Sequence, residues 1–362
     1  MSVEQVVKRI RPAVRDQHAY LVGGIDEPLV KLNQNESPFD LPPELKEEVL
    51  RAFADIPFNR YPEEQSGPLV RAYADYAGCS AGAVLVGNGS NELTYTLGLT
   101  LLERGTPVVL PRPMFSLYEK VVRMHDGDLV DVPSREDFSF DSEGLLRAVS
   151  EHQPALTVLT TPNNPTGLAM QIDEIEAIAA ASGGFVVVDE AYVEFSDQPS
   201  ALASMAKHPN LILLRTLSKA CGLAGLRIGF MLAHPKVISE ILKVRPPFMV
   251  DPLAAAAARS VLRHRALLAD RARRLKAGRS MLVRVLSELD EIEVVPSQAN
   301  FVIFRTPMEP AAMMGRLAEA GVLVRNMGGY PELRGFLRVN AGTDAENNAF
   351  LIALKNALAH RR

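Results

Sequence analysis

Leu217-Ser218-Lys219-Ala220-Cys221-Gly222-Leu223-Ala224-Gly225-Leu226-Arg227 is the stretch on which the reading of this chain turns. It carries an amine, a hydroxyl and a guanidinium on one short segment. Upstream runs Val186-Val187-Val188-Asp189-Glu190-Ala191-Tyr192, an apolar strand-like segment that ends in an acid. Each piece alone is ordinary. A Ser-Lys after a strand is usually a solvated surface lysine, and an acid at a strand end is often a helix N-cap. Together they form a chemical set. A lysine amine forms a Schiff base with an aldehyde cofactor. A carboxylate keeps a pyridine nitrogen protonated, so the ring acts as an electron sink. An arginine clamps a phosphate with paired hydrogen bonds. Pyridoxal phosphate calls for all three.

Around this centre, apolar strand-like runs alternate with helical patterns. The strand candidates are Pro107 to Leu110, Leu156 to Thr160, Phe185 to Val188, Leu211 to Leu214 and Ile228 to Leu232. Their near-continuous apolar character suits strands buried on both faces. Helical patterns at Glu92 to Leu102 and Ile172 to Ala181 lie between them. The alternation predicts an α/β fold with a mostly parallel sheet covered by helices. Ligands in such sheets bind beyond the C-terminal strand ends, where Asp189 and Lys219 fall.

After Pro246-Pro247 the pattern changes. Leu253 to Leu289 reads as long helices rich in Ala, Arg and Leu, and the Ala254 to Ala258 run as helix interior. Short strands follow at Phe301 to Phe304, Val322 to Val324 and Phe336 to Val339, with a helix at Ala311 to Ala320. This predicts a smaller α+β domain. The expected division is residues 1–45 as N-terminal arm and part of the small domain, 46–246 as the large domain and 247–362 as the small domain. The arm reads as extended, with a short helix before it.

The bulk composition narrows the function classes. The chain has 362 residues, 47% hydrophobic and 23% charged, with net charge −4. That charge points to neither nucleic acid nor an anionic membrane as partner. Cys79 and Cys221 are too few for a disulfide framework and suit a reducing cytoplasm. No signal-like segment opens the chain, and no apolar run nears the ~20 residues of a spanning helix. No metal is expected, because no ligand cluster has metal spacing.

Other segments suit the same cofactor. Val86-Gly87-Asn88-Gly89-Ser90-Asn91-Glu92 is a glycine-rich turn opening a helix, and free N–H groups there seat a phosphate. With Ser218 and Arg227 it makes a cradle for a dianion. Thr161-Pro162-Asn163-Asn164-Pro165-Thr166-Gly167 is a rigid turn after a strand. Asn164 and Tyr192 are placed to donate to a phenolic oxygen on the ring, which stabilises negative charge there. Phe115 is either a ring-stacking residue or a core phenylalanine. Arg325, after Val322 to Val324, and Arg338, after Phe336-Leu337, are candidates for capturing anionic groups of a substrate.

These residues resemble a known family, the fold-type I pyridoxal-phosphate aminotransferases, and within it the histidinol-phosphate aminotransferase subgroup. The carriers include Leu32 to Pro38, Arg60-Tyr61-Pro62, Gly87 to Glu92, Pro162 to Gly167 and Asp189 to Phe195. They continue through Arg215 to Lys219, Gly222 to Gly229, Lys243 to Phe248 and Pro296 to Phe301. The resemblance implies a seven-stranded sheet in the large domain and a homodimer with shared active sites in the cytoplasm. It implies that Lys219 carries the Schiff base, Asp189 pairs with the pyridinium, and Asn164 and Tyr192 serve the phenolic oxygen. Gly89, Ser90, Asn91, Thr216, Ser218 and Arg227 would hold the cofactor, and Tyr61 would reach the phosphate of the partner's cofactor. Arg325, Arg338 and Asn164 would meet substrate, and Tyr20 would help close the pocket.

The implied reaction is transamination of L-histidinol phosphate with 2-oxoglutarate, the return half using glutamate, in histidine biosynthesis. An aromatic amino-acid aminotransferase is the nearest alternative; a threonine-phosphate decarboxylase is one from another enzyme class. Several positions depart from the pattern: Asn91 for a common aspartate, Phe115 for a frequent tyrosine, Cys221 for an aromatic, and Met249-Val250-Asp251 where Asn and Ser are frequent. The last is expected near the substrate side.

Overall fold

The computed structural model describes residues 1–19 and 30–359. Its larger sheet has seven strands. In spatial order they are Val84–Gly87, Gly229–Leu232, Leu211–Thr216, Phe185–Asp189, Leu156–Thr160, Pro107–Arg112 and Asp128–Pro133. Strands from Leu211–Thr216 across to Asp128–Pro133 run parallel. Gly229–Leu232 runs antiparallel to both its neighbours.

Strand side chains alternate between two apolar cores, which explains the unbroken hydrophobic runs. Val186, Val188, Leu211 and Leu213 enter one core with Leu69, Tyr73, Leu145 and Ile178 from covering helices. Val187, Ile212 and Leu214 enter the other, with Leu93, Leu97, Val121 and Ile238. The expected α/β class is what the chain adopts.

Two strands of this larger sheet were hidden from the sequence reading. Asp128–Pro133 is an edge strand mixing acids with apolar residues, so it lacks the run that marks a buried strand. Val84–Gly87 merges in sequence with the turn that follows it.

The smaller sheet orders Arg325–Asn326, Phe336–Asn340, Phe301–Arg305 and Glu293–Val294, all antiparallel. Val30–Lys31 pairs in parallel with Val322–Leu323 in a separate two-stranded ribbon. The expected strand Val322 to Val324 therefore stops at Leu323, and Arg325 opens a new strand instead of following the old one. Arg338 lies within the expected strand Phe336 to Val339, which the structure extends to Asn340. It sits in the middle of Phe336–Asn340, buried at 7% exposure.

Helix Pro252–Leu262 is Ala-rich and packs Ala254, Ala255, Ala258 and Val261 into the large-sheet core, although its sequence falls after the expected boundary at 247. Small side chains allow that close approach. Helix Arg265–Ser287 then spans both units: Leu268 joins the large-sheet core, while Ala272, Leu275 and Leu282 join the core of the small sheet. The N-terminal arm holds two short helices, Val3–Val7 and Pro12–Arg15, where one was expected. Among the described residues no helix is long and apolar enough to cross a membrane.

Candidate active site

Three parallel strands end side by side at Thr160, Asp189 and Thr216, and the chemistry gathers beyond them. Asp189 is the last residue of its strand. Its carboxylate accepts from the Tyr118 hydroxyl at 2.7 Å and from the Ala191 N–H at 3.0 Å. Burial pushes this carboxyl above its usual range, and the Tyr118 bond holds it back. Among the described residues no arginine or lysine forms an ion pair with it. Tyr118 was not foreseen from sequence. Within Leu117–Met124 it reads as one more apolar helix residue, and what singles it out is the hydroxyl's aim across the fold.

Lys219 lies on the loop after strand Leu211–Thr216 and donates to the Gln34 carbonyl at 3.0 Å. Burial first, then the nearby Arg338 guanidinium, pulls its amine down to about 8. The amine stands 5.9 Å from the centroid of the Tyr192 ring. Tyr192 is buried, and its hydroxyl accepts from Asn35 Nδ2 at 2.9 Å, which leaves its own proton free for another acceptor. Burial pushes that hydroxyl up to about 12, so it stays protonated at neutral pH.

A second cluster forms an anion seat. Helix Gly89–Leu101 begins with Gly89 at φ +76°, and a β-carbon there would stand 2.6 Å from Arg227 Nη2. A β-carbon on Gly229 would meet the Ser90 nitrogen at 2.2 Å, so the helix start is pressed onto the neighbouring strand. Arg227 donates to Ser218 Oγ at 3.4 Å and to the Ala224 carbonyl at 2.9 Å. The Thr216 hydroxyl donates to Ser218 Oγ at 2.9 Å and accepts from the Ser218 N–H. Arg227 holds φ +52° without being glycine, a strained conformation of the kind that collects at ligand sites. Gly89, Ser90, Asn91, Thr216, Ser218 and Arg227 thus lie together.

The turn after Leu156–Thr160 divides its two asparagines. Asn163 is buried and ties the turn to itself, donating to the Pro113 carbonyl at 2.9 Å and to Thr166 Oγ1 at 3.0 Å. Asn164 faces the other way, and its Oδ1 accepts from Arg338 Nη1 at 2.7 Å. Arg338 also donates to the Asn33 carbonyl and lies 5.0 Å from the Phe301 ring centroid. The register sets Arg325 directly opposite Arg338 across two antiparallel strands.

Phe115 is half-buried and packs against the core that holds Val187, Ile212 and Leu214. Tyr61 is 83% exposed and stacks on Phe248 at 4.7 Å. Tyr20 lies outside the described residues. Two departures have structural causes. Asp251 caps helix Pro252–Leu262, accepting from the Leu253 N–H at 2.7 Å, and Val250 packs into the core, so this segment serves helix initiation. Cys221 is fully buried in the large core, and burial pushes its thiol up.

Below the site, Glu190 and Arg215 join the strands that carry Asp189 and Thr216. They pair at 2.9 Å, with side-chain exposures of 2% and 10%. Glu190 also accepts from the Ser200 hydroxyl at 2.9 Å and the Ala201 N–H at 2.7 Å. Arg215→Met would strand a buried carboxylate. We expect it to cost about 3–5 kcal/mol in urea unfolding, with much of that recovered when Glu190→Gln is added. Equal costs for the single and double variants would exclude a stranded charge as the cause.

A family model for aminotransferase class I and II matches residues 27–354. The chain belongs to this family. A histidinol-phosphate aminotransferase of Chlorobium luteolum is 42% identical over 351 residues, covering 97% of this chain and 98% of that protein. One of Prosthecochloris aestuarii is 41% identical over 342 residues, covering 94% and 96%. Among solved structures, a histidinol-phosphate aminotransferase of Sinorhizobium meliloti in complex with pyridoxal-5′-phosphate superimposes with a TM-score of 0.87. It is 27% identical, covering 97% of this chain and 98% of that one.

Proposed function

We propose that this aminotransferase moves the amino group of L-histidinol phosphate to 2-oxoglutarate with pyridoxal phosphate as cofactor, a step of histidine biosynthesis. The reading rests on relatives near-identical in length that bear this name, and on one observation of the site. Arg325 and Arg338 face each other across two strands. Like charges so placed repel, and a multiply charged anion between them relieves the repulsion. A substrate phosphate, or the second carboxylate of glutamate, suits that place better than the single carboxylate of phenylalanine. Nothing in the site favours the aromatic or decarboxylase alternatives over this one.

The residues present fit pyridoxal phosphate. A partly buried carboxylate that has no basic partner among the described residues suits a protonated ring nitrogen, and the glycine-lined seat at a helix start suits a phosphate. When bound, this cofactor supplies an aldehyde carbon for amines and a ring that takes up the electron pair left at the substrate's α-carbon. Asp189 would hold the ring nitrogen, with Tyr118 orienting the carboxylate. Ser90, Ser218, Arg227 and the backbone at Gly89 and Asn91 would hold the phosphate, beside Thr216. Asn164 and Tyr192 would serve the phenolic oxygen, and Phe115 the ring face. Lys219, with its amine near neutrality, would take the proton from the substrate's α-carbon.

We further read the chain as a cytoplasmic homodimer in which Tyr61 reaches the partner's cofactor phosphate, which accounts for an aromatic ring left so exposed. The arm and small domain would comprise residues 1–45 and the chain after about 263, since helix Pro252–Leu262 packs with the large domain.

Arg325→Ala tests the substrate. Each charge-assisted bond contributes about 1.5–3 kcal/mol, so kcat/KM for histidinol phosphate should fall about 10–150-fold. Glutamate should suffer similarly and phenylalanine less. The panel is histidinol phosphate, glutamate, phenylalanine, tyrosine and threonine phosphate. Equal loss for phenylalanine would make Arg325 structural. A wild type that prefers phenylalanine would replace this reading with the aromatic one.

A further inference from the structure

The anion seat is braced from behind by an ion pair to which the roles above assign nothing. Glu92 stands in the first turn of helix Gly89–Leu101. Its carboxylate accepts from Arg245 Nη2 at 2.8 Å and Nε at 3.3 Å, from the Asn88 N–H at 3.2 Å and from the Thr96 hydroxyl at 2.7 Å. The Arg245 side chain is 3% exposed and that of Glu92 15%. The carboxylate folds back so closely over the preceding strand that a β-carbon on Gly87 would stand 2.6 Å from Glu92 Oε2. One carboxylate therefore fixes the Asn88 backbone, the helix start and a distant arginine at once.

Arg245 leads directly into Pro246-Pro247-Phe248. Proline fixes φ, so two in succession make a short stiff connector. Phe248 has φ +63° and stacks on Tyr61 with an interplanar angle of 17°. A continuous path of contacts runs from the seat through Glu92, Arg245, the two prolines and Phe248 to the exposed Tyr61 ring.

We propose that Glu92 and Arg245 are positioning residues for both halves of a shared phosphate site. The pair fixes the seat in its own subunit and, through the proline connector, the Tyr61 ring offered to the neighbour. This rests on the reading of Tyr61 given above. The carboxylate touches neither phosphate; it sets where the groups that do touch them stand.

The test uses apoprotein titrated with pyridoxal phosphate, and mixed dimers. Glu92→Gln should raise the cofactor Kd by about tenfold or more, while kcat at saturating cofactor falls by a smaller factor. Arg245→Lys should recover part of the affinity that Arg245→Met loses. A pair that merely stabilises the fold would lower Tm and leave Kd unchanged, which would overturn the proposal. The double variant Glu92→Gln/Arg245→Met, free of a stranded charge, covers the case in which a single variant fails to fold; unchanged Kd there also overturns it.

For the neighbour's half, a Tyr61→Phe chain is mixed with a Lys219→Ala chain, so that each working site receives an intact Tyr61. Affinity should rise above that of the Tyr61→Phe homodimer. When the Lys219→Ala chain also carries Arg245→Met, at least fivefold of that gain should vanish, although the working site keeps its own Arg245. Full gain with this donor overturns the connector. No gain with the unmodified donor, subunit exchange being confirmed, overturns the reading of Tyr61 and the neighbour's half with it. The own-seat half then stands or falls on Glu92→Gln alone.

Discussion

Lys219→Ala should abolish turnover, a loss of at least about 10⁴-fold, because one side chain carries two duties. Proton transfer by a placed base is worth about 10²–10⁴-fold, and covalent attachment of the cofactor is lost with it. The environment favours both duties. Burial and the Arg338 guanidinium hold the amine at about 8, so a substantial neutral fraction exists near neutrality where a solvated lysine has almost none. The sign follows: attack on an aldehyde needs the neutral amine, so the rate at which apoprotein takes up pyridoxal phosphate should rise with pH, with a midpoint near 8. Borohydride treatment of the wild-type holoenzyme should leave the cofactor on the peptide containing Lys219. A label on another lysine, or an uptake midpoint above 10, would end the assignment. The fold should survive the substitution, since Lys219 makes one hydrogen bond to the Gln34 carbonyl and a long approach of 5.9 Å to the Tyr192 ring.

Much of this site was legible because its parts lie at strand ends, and strand ends are visible as the last residue of an apolar run. Asp189 stood out in that way, and the structure sets it at the end of its strand, with Lys219 on the loop that follows the adjacent parallel strand. What stayed hidden needs distant pairings. Tyr118 meets Asp189 across 71 residues, and Arg245 meets Glu92 across 153. Neither pairing leaves a periodic mark. Arg338 is legible as a candidate beside the apolar pair Phe336-Leu337 of an expected strand. Its burial in mid-strand and its register with Arg325 come from sheet pairing, which hydrophobic pattern does not specify. Asp251 carries a plainer local signal: an acid before Pro252 marks an N-cap, and the structure uses it to open helix Pro252–Leu262. Val84–Gly87 and Asp128–Pro133 show the limit at the other end, where a strand is too short or too polar to declare itself.

Asp189→Ala should cost far more activity than Tyr192→Phe. Asp189 accepts two hydrogen bonds and pairs with no basic side chain among the described residues, so its charge is available to the ring nitrogen. Removing one member of a buried ion pair costs about 3–5 kcal/mol, which is about 10²–10⁴-fold in kcat at 1.4 kcal/mol per decade. Tyr192 offers one of two donors to the phenolic oxygen, with Asn164 as the other. Losing it retunes that oxygen without discharging the ring, and about tenfold is expected. Tyr118→Phe separates charge from contact. It keeps the ring's volume in the core and removes the bond that restrains the carboxyl's upward shift. The Asp189 carboxyl should then titrate higher still, because the bond that favours its charged form is gone. Its kcat should fall between those of the other two variants. Carbon-13 titration of Asp189 in apoprotein and kcat at saturating cofactor supply the readings. If Asp189→Ala and Tyr192→Phe lose comparable kcat, the ring nitrogen is not held by this carboxylate. If the Asp189 titration is unmoved in Tyr118→Phe, the 2.7 Å bond does not govern its charge.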